Sequence, residues 1–384
     1  MRKIVLGVLG SVVACVVIAL IVLYGCVPLA TPSPSSNDVL KGYVISLKDE
    51  IRNHMTITLE VYKNEELVRR KVGDPISDQW LKLVANYLLG MESYLSISWL
   101  NEGGSTVSVW GTEVEEGNPV PKLAIGTGLA AYPSDNSLVS KVMEATLNSN
   151  YITVTDTGTQ FQVRFAYTFV VSDAYNISEA GLFVKDKGGG SDYGWVLICH
   201  DTFTPVSLQA NDGITIEYTF VVDYSTPPFL KKFWELLLDY FMGLRGAGCP
   251  VGTTRIDVGD DYWDGYSYKD NLKEKLTFAY VLSDTPWSPE VAPTVSSKWS
   301  IRNVVQLITS NQKLSLYMVV IQGNTQESYT VYGIMFYLYT DTDAANVLKG
   351  TYVPIAYVRF SEAPVSVDYT SFFEVNLTVS FNQS

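Results

Sequence analysis

The feature that most restricts the fold of this chain is a text that recurs at one offset of 153 residues, seen at positions 86 and 239, 122 and 275, and 181 and 334. Asn86-Tyr87-Leu88-Leu89-Gly90-Met91 is answered by Asp239-Tyr240-Phe241-Met242-Gly243-Leu244, Lys122-Leu123 by Lys275-Leu276, and Gly181-Leu182-Phe183 by Ile334-Met335-Phe336. Between the last two anchors the alternating Phe161, Val163, Phe165 and Tyr167 fall on Leu314, Leu316, Met318 and Val320, so one inward-facing rhythm returns in register. The offset then drifts by a few residues, and Pro205-Val206-Ser207 is matched by Pro364-Val365-Ser366. What repeats is a core pattern, with no polar constellation beside it. Duplication of that kind points to architecture or binding.

The alternation from Val39 to Val72 predicts a hairpin, and Asp74-Pro75 ends it. Ser77 or Asp78 then caps a helix over Gln79 to Leu89, with Trp80, Leu81, Val84, Tyr87 and Leu88 on one stripe and Gly90 as its stop. Short strands separated by turn residues follow, the pattern of an antiparallel sandwich. Pro227-Pro228 introduces a second helix, Phe229 to Leu244, with Phe233, Trp234, Leu237, Tyr240 and Phe241 on its stripe, and strands follow again. The expected fold is mainly β. Residues 1–27 are an anchor or signal segment, 28–38 a Pro/Ser linker and 39–76 a β-hairpin region; 77–226 and 227–384 are two tandem, related antiparallel β-sandwich domains, each preceded by a helix. The last strand either pairs within its own domain or lends its edge to a neighbour.

Residues Ile4 to Leu23 are 20 uncharged, mostly apolar residues after Arg2 and Lys3, long enough to cross a bilayer as a helix. The flanking positive charges place the body outside the cytoplasm. A retained membrane anchor is the first reading. The second is a cleaved leader with Cys26 as its lipidation site, because Leu23-Tyr24-Gly25-Cys26 has the outline of a lipobox. In an oxidising exterior Cys199 and Cys249 form a candidate disulfide, and Asn176, Asn376 and Asn382 begin candidate glycosylation sequons. A net charge of −13 argues against nucleic acid as a partner.

One stretch also carries a resemblance. After the first helix stand Lys122-Leu123-Ala124-Ile125-Gly126-Thr127-Gly128, then Asp135 with Leu138 and Lys141-Val142, a long alternating strand, and Ile177-Ser178-Glu179-Ala180-Gly181-Leu182-Phe183. From Gln79 to Val222 this resembles a module of tail-fibre and related appendage proteins of tailed viruses, and the second copy resembles it more faintly. The resemblance implies a structural, often oligomeric β module that builds a fibre or touches a cell surface, with no catalytic residues to carry over. The second copy departs from it, with Leu276-Thr277-Phe278-Ala279 in place of the Gly-rich turn and Tyr332-Gly333-Ile334-Met335-Phe336 in place of the Glu179 segment. The anchor is foreign to ordinary tail fibres and points to an envelope, a cell surface or a membrane-rooted appendage, settings that include an archaeal virus or an archaeal surface.

No catalytic constellation stands out. Gly126-Thr127-Gly128 lacks the third glycine and the Lys-Ser/Thr pair of a phosphate cradle and reads as a sharp turn. His54 and His200 have no nucleophile motif near them and read as ordinary surface or core residues. The one polar cluster is the segment 257–268, where Asp257, Asp260, Asp261 and Asp264 are candidate calcium ligands and Tyr262, Trp263 and Tyr266 candidate contacts for a partner or glycan. A soluble acidic loop with its aromatics folded inward is the plain alternative. The expectation is a membrane-anchored extracellular structural protein, a homo-oligomeric subunit of an appendage or virion without a cofactor, calcium at the acidic segment being the alternative. A surface lipoprotein that binds a glycan or solute, and a secreted glycoside hydrolase, are the rivals.

Overall fold

The computed structural model describes residues 41–50, 54–73, 76–89, 98–107, 119–186, 194–253, 262–263, 268–269, 276–295, 299–300, 303–310, 313–321, 329–340, 351–360, 364–367 and 371–380. The fold is mainly β, 54% strand with two helices among the described residues. In chain order the first half holds β1 (Lys41–Glu50), β2 (Met55–Lys63), β3 (Glu66–Val72), helix α1 (Asp78–Leu89), β4 (Trp99–Leu100), β5 (Thr106–Val107), β6 (Val120–Gly126) and β7 (Lys141–Thr146). It continues with β8 (Ile152–Asp156), β9 (Gln160–Val170), β10 (Tyr175–Asp186), β11 (Gly194–Leu208) and β12 (Gly213–Asp223). Next comes α2 (Lys231–Leu236), which runs on as a π-helical turn over Leu237–Phe241. The remaining strands are β13 (Tyr262–Trp263), β14 (Tyr268–Lys269), β15 (Leu276–Val281), β16 (Trp299–Ser300), β17 (Asn303–Ser310), β18 (Lys313–Ile321), β19 (Tyr329–Val331), β20 (Gly333–Thr340), β21 (Thr351–Arg359), β22 (Val365–Val367) and β23 (Ser371–Ser380).

Two sheets come from the first half, in the orders β3-β2-β12-β9-β8 and β11-β10-β6-β7. Their alternating side chains face one apolar interior: Ile57, Leu59 and Val61 of β2, Phe161, Val163 and Phe165 of β9, and Ile216, Tyr218 and Phe220 of β12 meet Leu123, Ile125, Leu182 and Ile198. Tyr218 sends its hydroxyl across that interior to the Ala180 carbonyl at 3.1 Å, which satisfies the one polar end a buried tyrosine brings with it. With β1 joining it from the first half, the second half repeats the neighbour order, β1-β23-β18-β17 against β2-β12-β9-β8, and β16-β15-β20-β21 against β7-β6-β10-β11. One register also returns 153 positions on, from Thr153 opposite Arg164 through Asp156 opposite Phe161 to Gln306 opposite Tyr317 through Thr309 opposite Leu314, and breaks at the bulge between Val304 and Gln306.

The expected hairpin region 39–76 divides differently. β2 and β3 form it, through a turn whose residues Asn64 and Glu65 have φ of 48° and 72°, as a tight two-residue hairpin requires. β1 does not join them. β2 already has β3 on one side and β12 on the other, so it offers no edge, and β1 pairs instead in parallel with β23, Lys41 opposite Ser371 through Glu50 opposite Ser380.

Helix α1 starts where expected: Ser77 Oγ accepts the Gln79 amide at 3.0 Å, and Trp80, Leu81 and Val84 are buried. The second helix is shorter than the predicted Phe229–Leu244, although all five stripe residues are buried. It widens into the π-helical turn, and Gly243 stops it with φ +81°; a Cβ there would come within 2.9 Å of the backbone at Val120 and Pro121. Trp80 donates to the Phe241 carbonyl at 2.5 Å, so the two helical segments are bonded directly. The same apolar core runs on from Phe229, Trp234 and Leu238 to Tyr280, Ile334, Phe336 and Ile355. The halves, expected as two tandem domains, therefore share an interior. Among the described residues no helix is long and apolar enough to cross a membrane; the expected span, Ile4 to Leu23, lies outside them.

Candidate functional site

Three of the polar clusters among the described residues bear on the candidate site, and the first centres on Glu179 in β10. This carboxylate is fully buried. Its Oε1 accepts the amides of Gly128 at 2.8 Å and Ser140 at 2.7 Å, and its Oε2 accepts the Val139 amide at 2.9 Å and His200 Nε2 at 2.9 Å. The other ring nitrogen of His200, Nδ1, lies 2.8 Å from Asp135 Oδ2, which also takes the Tyr132 amide at 2.8 Å. With carboxylates at both nitrogens, only the doubly protonated imidazolium can donate to each. Burial alone would push the imidazole pKa down, but the bonds to Glu179 and Asp135 outweigh it and the pKa is raised. Burial likewise works to raise the Glu179 pKa, and His200 with the three amides brings it below the usual carboxylate value.

The segment 127–140 between β6 and β7 is therefore lashed across the outer face of the sheet. Its amides close on Glu179, and a Cβ on Gly126 or Gly128 would collide with that carboxylate, which is why small residues stand at both positions. Leu138 fills the space left by Gly181 and packs with Ala124, Phe183 and Leu197. Farther along, Pro133 accepts the Asp78 amide at 2.8 Å and Ser134 accepts Gln79 Nε2 at 3.0 Å, so the segment also ties to the start of α1. Held this way, it leaves Leu129, Tyr132 and Val139 outward, exposed at 75%, 62% and 62%.

A second cluster lies beside it. Lys122, almost fully buried, donates to Glu102 at 2.5 Å and Glu144 at 2.9 Å, and its ammonium sits 4.3 Å from the Trp195 ring centre. Lys141 bonds the same two carboxylates at 2.8 Å and 2.6 Å. The third belongs to the second helix: buried Asp239 accepts the amides of Val251 at 2.6 Å and Gly252 at 3.2 Å, and pairs with Arg245 at 2.7 Å. It shapes the loop that carries Cys249.

The residues nominated from sequence fare unevenly. Tyr262 and Trp263 form a short hairpin with Tyr268 and Lys269, Trp263 opposite Tyr268. Asp257, Asp260, Asp261, Asp264 and Tyr266 lie outside the described residues, as do Cys26 and Asn382. Asn176 is exposed at the start of β10 and accepts the Ser207 hydroxyl at 2.7 Å, while Asn376 stands in β23 opposite Tyr317. No disulfide joins Cys199 and Cys249: the first is buried in β11 opposite Leu182, and the second donates its thiol to the Leu244 carbonyl. Burial, reinforced by Asp239, pushes the Cys249 pKa up to about 11. Among the described residues no group of three or more His, Cys, Asp or Glu side chains could hold a metal ion.

His200 was read as ordinary and Glu179 only as a letter of a motif, yet these two with Asp135 carry the best-built polar site. The sequence signal was a carboxylate set inside an apolar run, Ile177-Ser178-Glu179-Ala180-Gly181-Leu182-Phe183, which a buried strand keeps only if partners await it. The Gly126-Thr127-Gly128 segment, read as a sharp turn, ends β6 and wraps that carboxylate. No family model, curated protein or solved structure matches the chain.

Proposed function

We propose that the chain is a membrane-anchored extracellular structural protein, a subunit of a surface appendage or virion, built from two copies of one sandwich that assemble through sheet edges and apolar or aromatic loops. The observation that carries this reading is the repeated strand order, in which architecture returns and the Glu179 cluster does not: Tyr332 stands 153 positions after Glu179. A cluster kept in one copy only, with both imidazole nitrogens occupied by carboxylates, leaves His200 no nitrogen to exchange protons with a substrate. Its work is to fix the segment 127–140, whose outward Leu129, Tyr132 and Val139 suit contact with another protein surface. The resemblance to appendage modules falls on these same residues, and the apolar leader supplies the membrane root.

Electron microscopy of the purified full chain tests the proposal. Regular filaments or projecting spikes are the expected result, and a dispersed monomer that retains a sugar overturns it in favour of a glycan-binding surface protein. Trp263→Ala tests the aromatic hairpin separately: assembly and surface attachment both unchanged would remove that hairpin from the contact surface.

A further inference from the structure

The segment 127–140 is held in two different ways along its length. Its ends are fixed to Glu179 by backbone amides, Gly128 on one side and Val139 and Ser140 on the other, and Ser178 donates its hydroxyl to the Gly128 carbonyl at 2.8 Å. Glu179, its pKa lowered, keeps its charge throughout the neutral range, so these ties do not change there. The middle reaches across to other partners: Asp135 bonds His200, Ser77 donates its hydroxyl to the Asp135 carbonyl at 3.2 Å, and Asn136 donates to the Asn101 carbonyl at 2.7 Å. Among these ties, the one through His200 depends on a proton that leaves near neutral pH. The other charges packed around the ring are committed elsewhere. Asp201, next along β11, pairs with Lys71 of β3 at 3.2 Å; Asp78, at the start of α1, has Lys82 as its charged neighbour; and Lys122 of β6 and Lys141 of β7 are held by Glu102 and Glu144. Among the described residues, Glu179 and Asp135 are the charges that face the ring.

We propose that His200 is a pH-sensitive latch: charged, it joins Asp135 to Glu179 and holds the middle of the segment 127–140 on the sheet; neutral, it lets Asp135 go, and the middle lifts while both ends stay fixed. A neutral imidazole has one N–H for two carboxylates, so one of them must face a bare ring nitrogen. Glu179 is fully buried and cannot reach water, whereas the Asp135 side chain is 20% exposed and can. The remaining N–H therefore stays with Glu179, and Asp135 turns outward, keeping the Tyr132 amide as it goes. Lifting uncovers the apolar patch of Ala124, Phe183 and Leu197 on which Leu138 sits, and it moves the outward Leu129 and Tyr132. The direction in pH follows from the carboxylates, which raise the folded pKa of His200: the closed state is complete below 6.5 and is lost as pH rises from there through the raised value. Where the outward residues form the contact surface, a step that rests on the assembly reading above, the latch sets the pH range in which that surface is presented.

Hydrogen exchange of the full chain, followed by mass spectrometry between about pH 6 and pH 9 with the intrinsic rate divided out, tests the latch without any partner, so its failure leaves the assembly reading untouched. Opening of residues 129–137 should rise above pH 6.5 by up to about tenfold per pH unit, because one proton is lost on opening, while β9 stays protected. His200→Gln, which cannot take up the proton, should open more readily at pH 6 and show no rise across the range. If that variant fails to fold, Asp135→Asn serves: the segment should open more at pH 6, and the rise with pH should shrink. A flat wild-type profile, a rise shared by β9, or a rise that persists unchanged in the variant overturns the latch.

Discussion

Replacing Glu179 by glutamine removes the charge that holds the segment 127–140 and leaves the shape of the side chain intact. The amide oxygen can still accept from Gly128 and Ser140, but the new NH2 group faces the Val139 amide and the His200 ring, donor against donor. Two buried donors left without acceptors cost about 1–3 kcal/mol each. Breaking a buried charge pair costs about 3–5 kcal/mol, so the two routes agree near 4 kcal/mol. Because the halves share one interior, the melting unit is Lys41–Ser384, and at roughly 2.1 cal/mol/K per residue the fall in melting temperature is about 5 °C. Thermal unfolding followed by circular dichroism measures it, with Glu290→Gln, which touches only an exposed pair with Lys231, as the control. The pH profile adds a second readout. The contribution of Glu179, whose folded pKa is lowered, is complete above its ordinary value of 4.5 and is lost as pH falls through the lowered value. That of His200, whose folded pKa is raised, is complete below 6.5 and is lost as pH rises through the raised value. Wild-type stability from this pair therefore plateaus between those limits, and the variant loses the acid-side fall that Glu179 supplies. A variant that melts within about 1 °C of wild type would refute the account, because a buried carboxylate with four donors cannot be that cheap to neutralise.

Two further outcomes follow from the other clusters. Lys122→Met keeps the aliphatic stem against Phe183 and Trp195 but removes the ammonium, and because Glu144 is partly exposed and Glu102 keeps Lys141, the expected loss is only about 1–2 kcal/mol by thermal melt, below that of Glu179→Gln. Asp239→Asn removes the negative charge beside Cys249 and weakens the hold on Val251 and Gly252, so the thiol pKa drops from about 11 and alkylation at pH 8, read by mass spectrometry of the Cys249 peptide, speeds up several-fold.

The parts of the fold that depend on period were legible in the sequence. Alternation located β2 and β9 and placed the echo of β9 on β18, and Ser77 marked the start of α1; in the structure the 153-residue offset carries the pair Val154 and Val163 onto Leu307 and Leu316. Features set by distant partners were not. Nothing in Lys41 to Glu50 distinguishes pairing with β2, four residues away, from pairing with β23 at the other end of the chain, because what decides is whether an edge is already taken. The same holds for the site: Glu179, Asp135 and His200 are far apart in sequence, and their meeting depends on β6, β10 and β11 lying side by side. The helix Phe229 to Leu244 was overextended because its apolar stripe suits an α-helix and a π-turn alike, while the stop at Gly243 answers to the backbone of Val120 and Pro121.

The parallel seam between β1 and β23 also sets how the molecule answers force. A tug delivered through residue 40 enters the sheet at Lys41 and travels lengthwise, so the ten backbone pairs must slide past one another together and cannot part singly like a zip. That shear geometry makes the seam resist a pull along β1 more firmly than a ladder opened pair by pair.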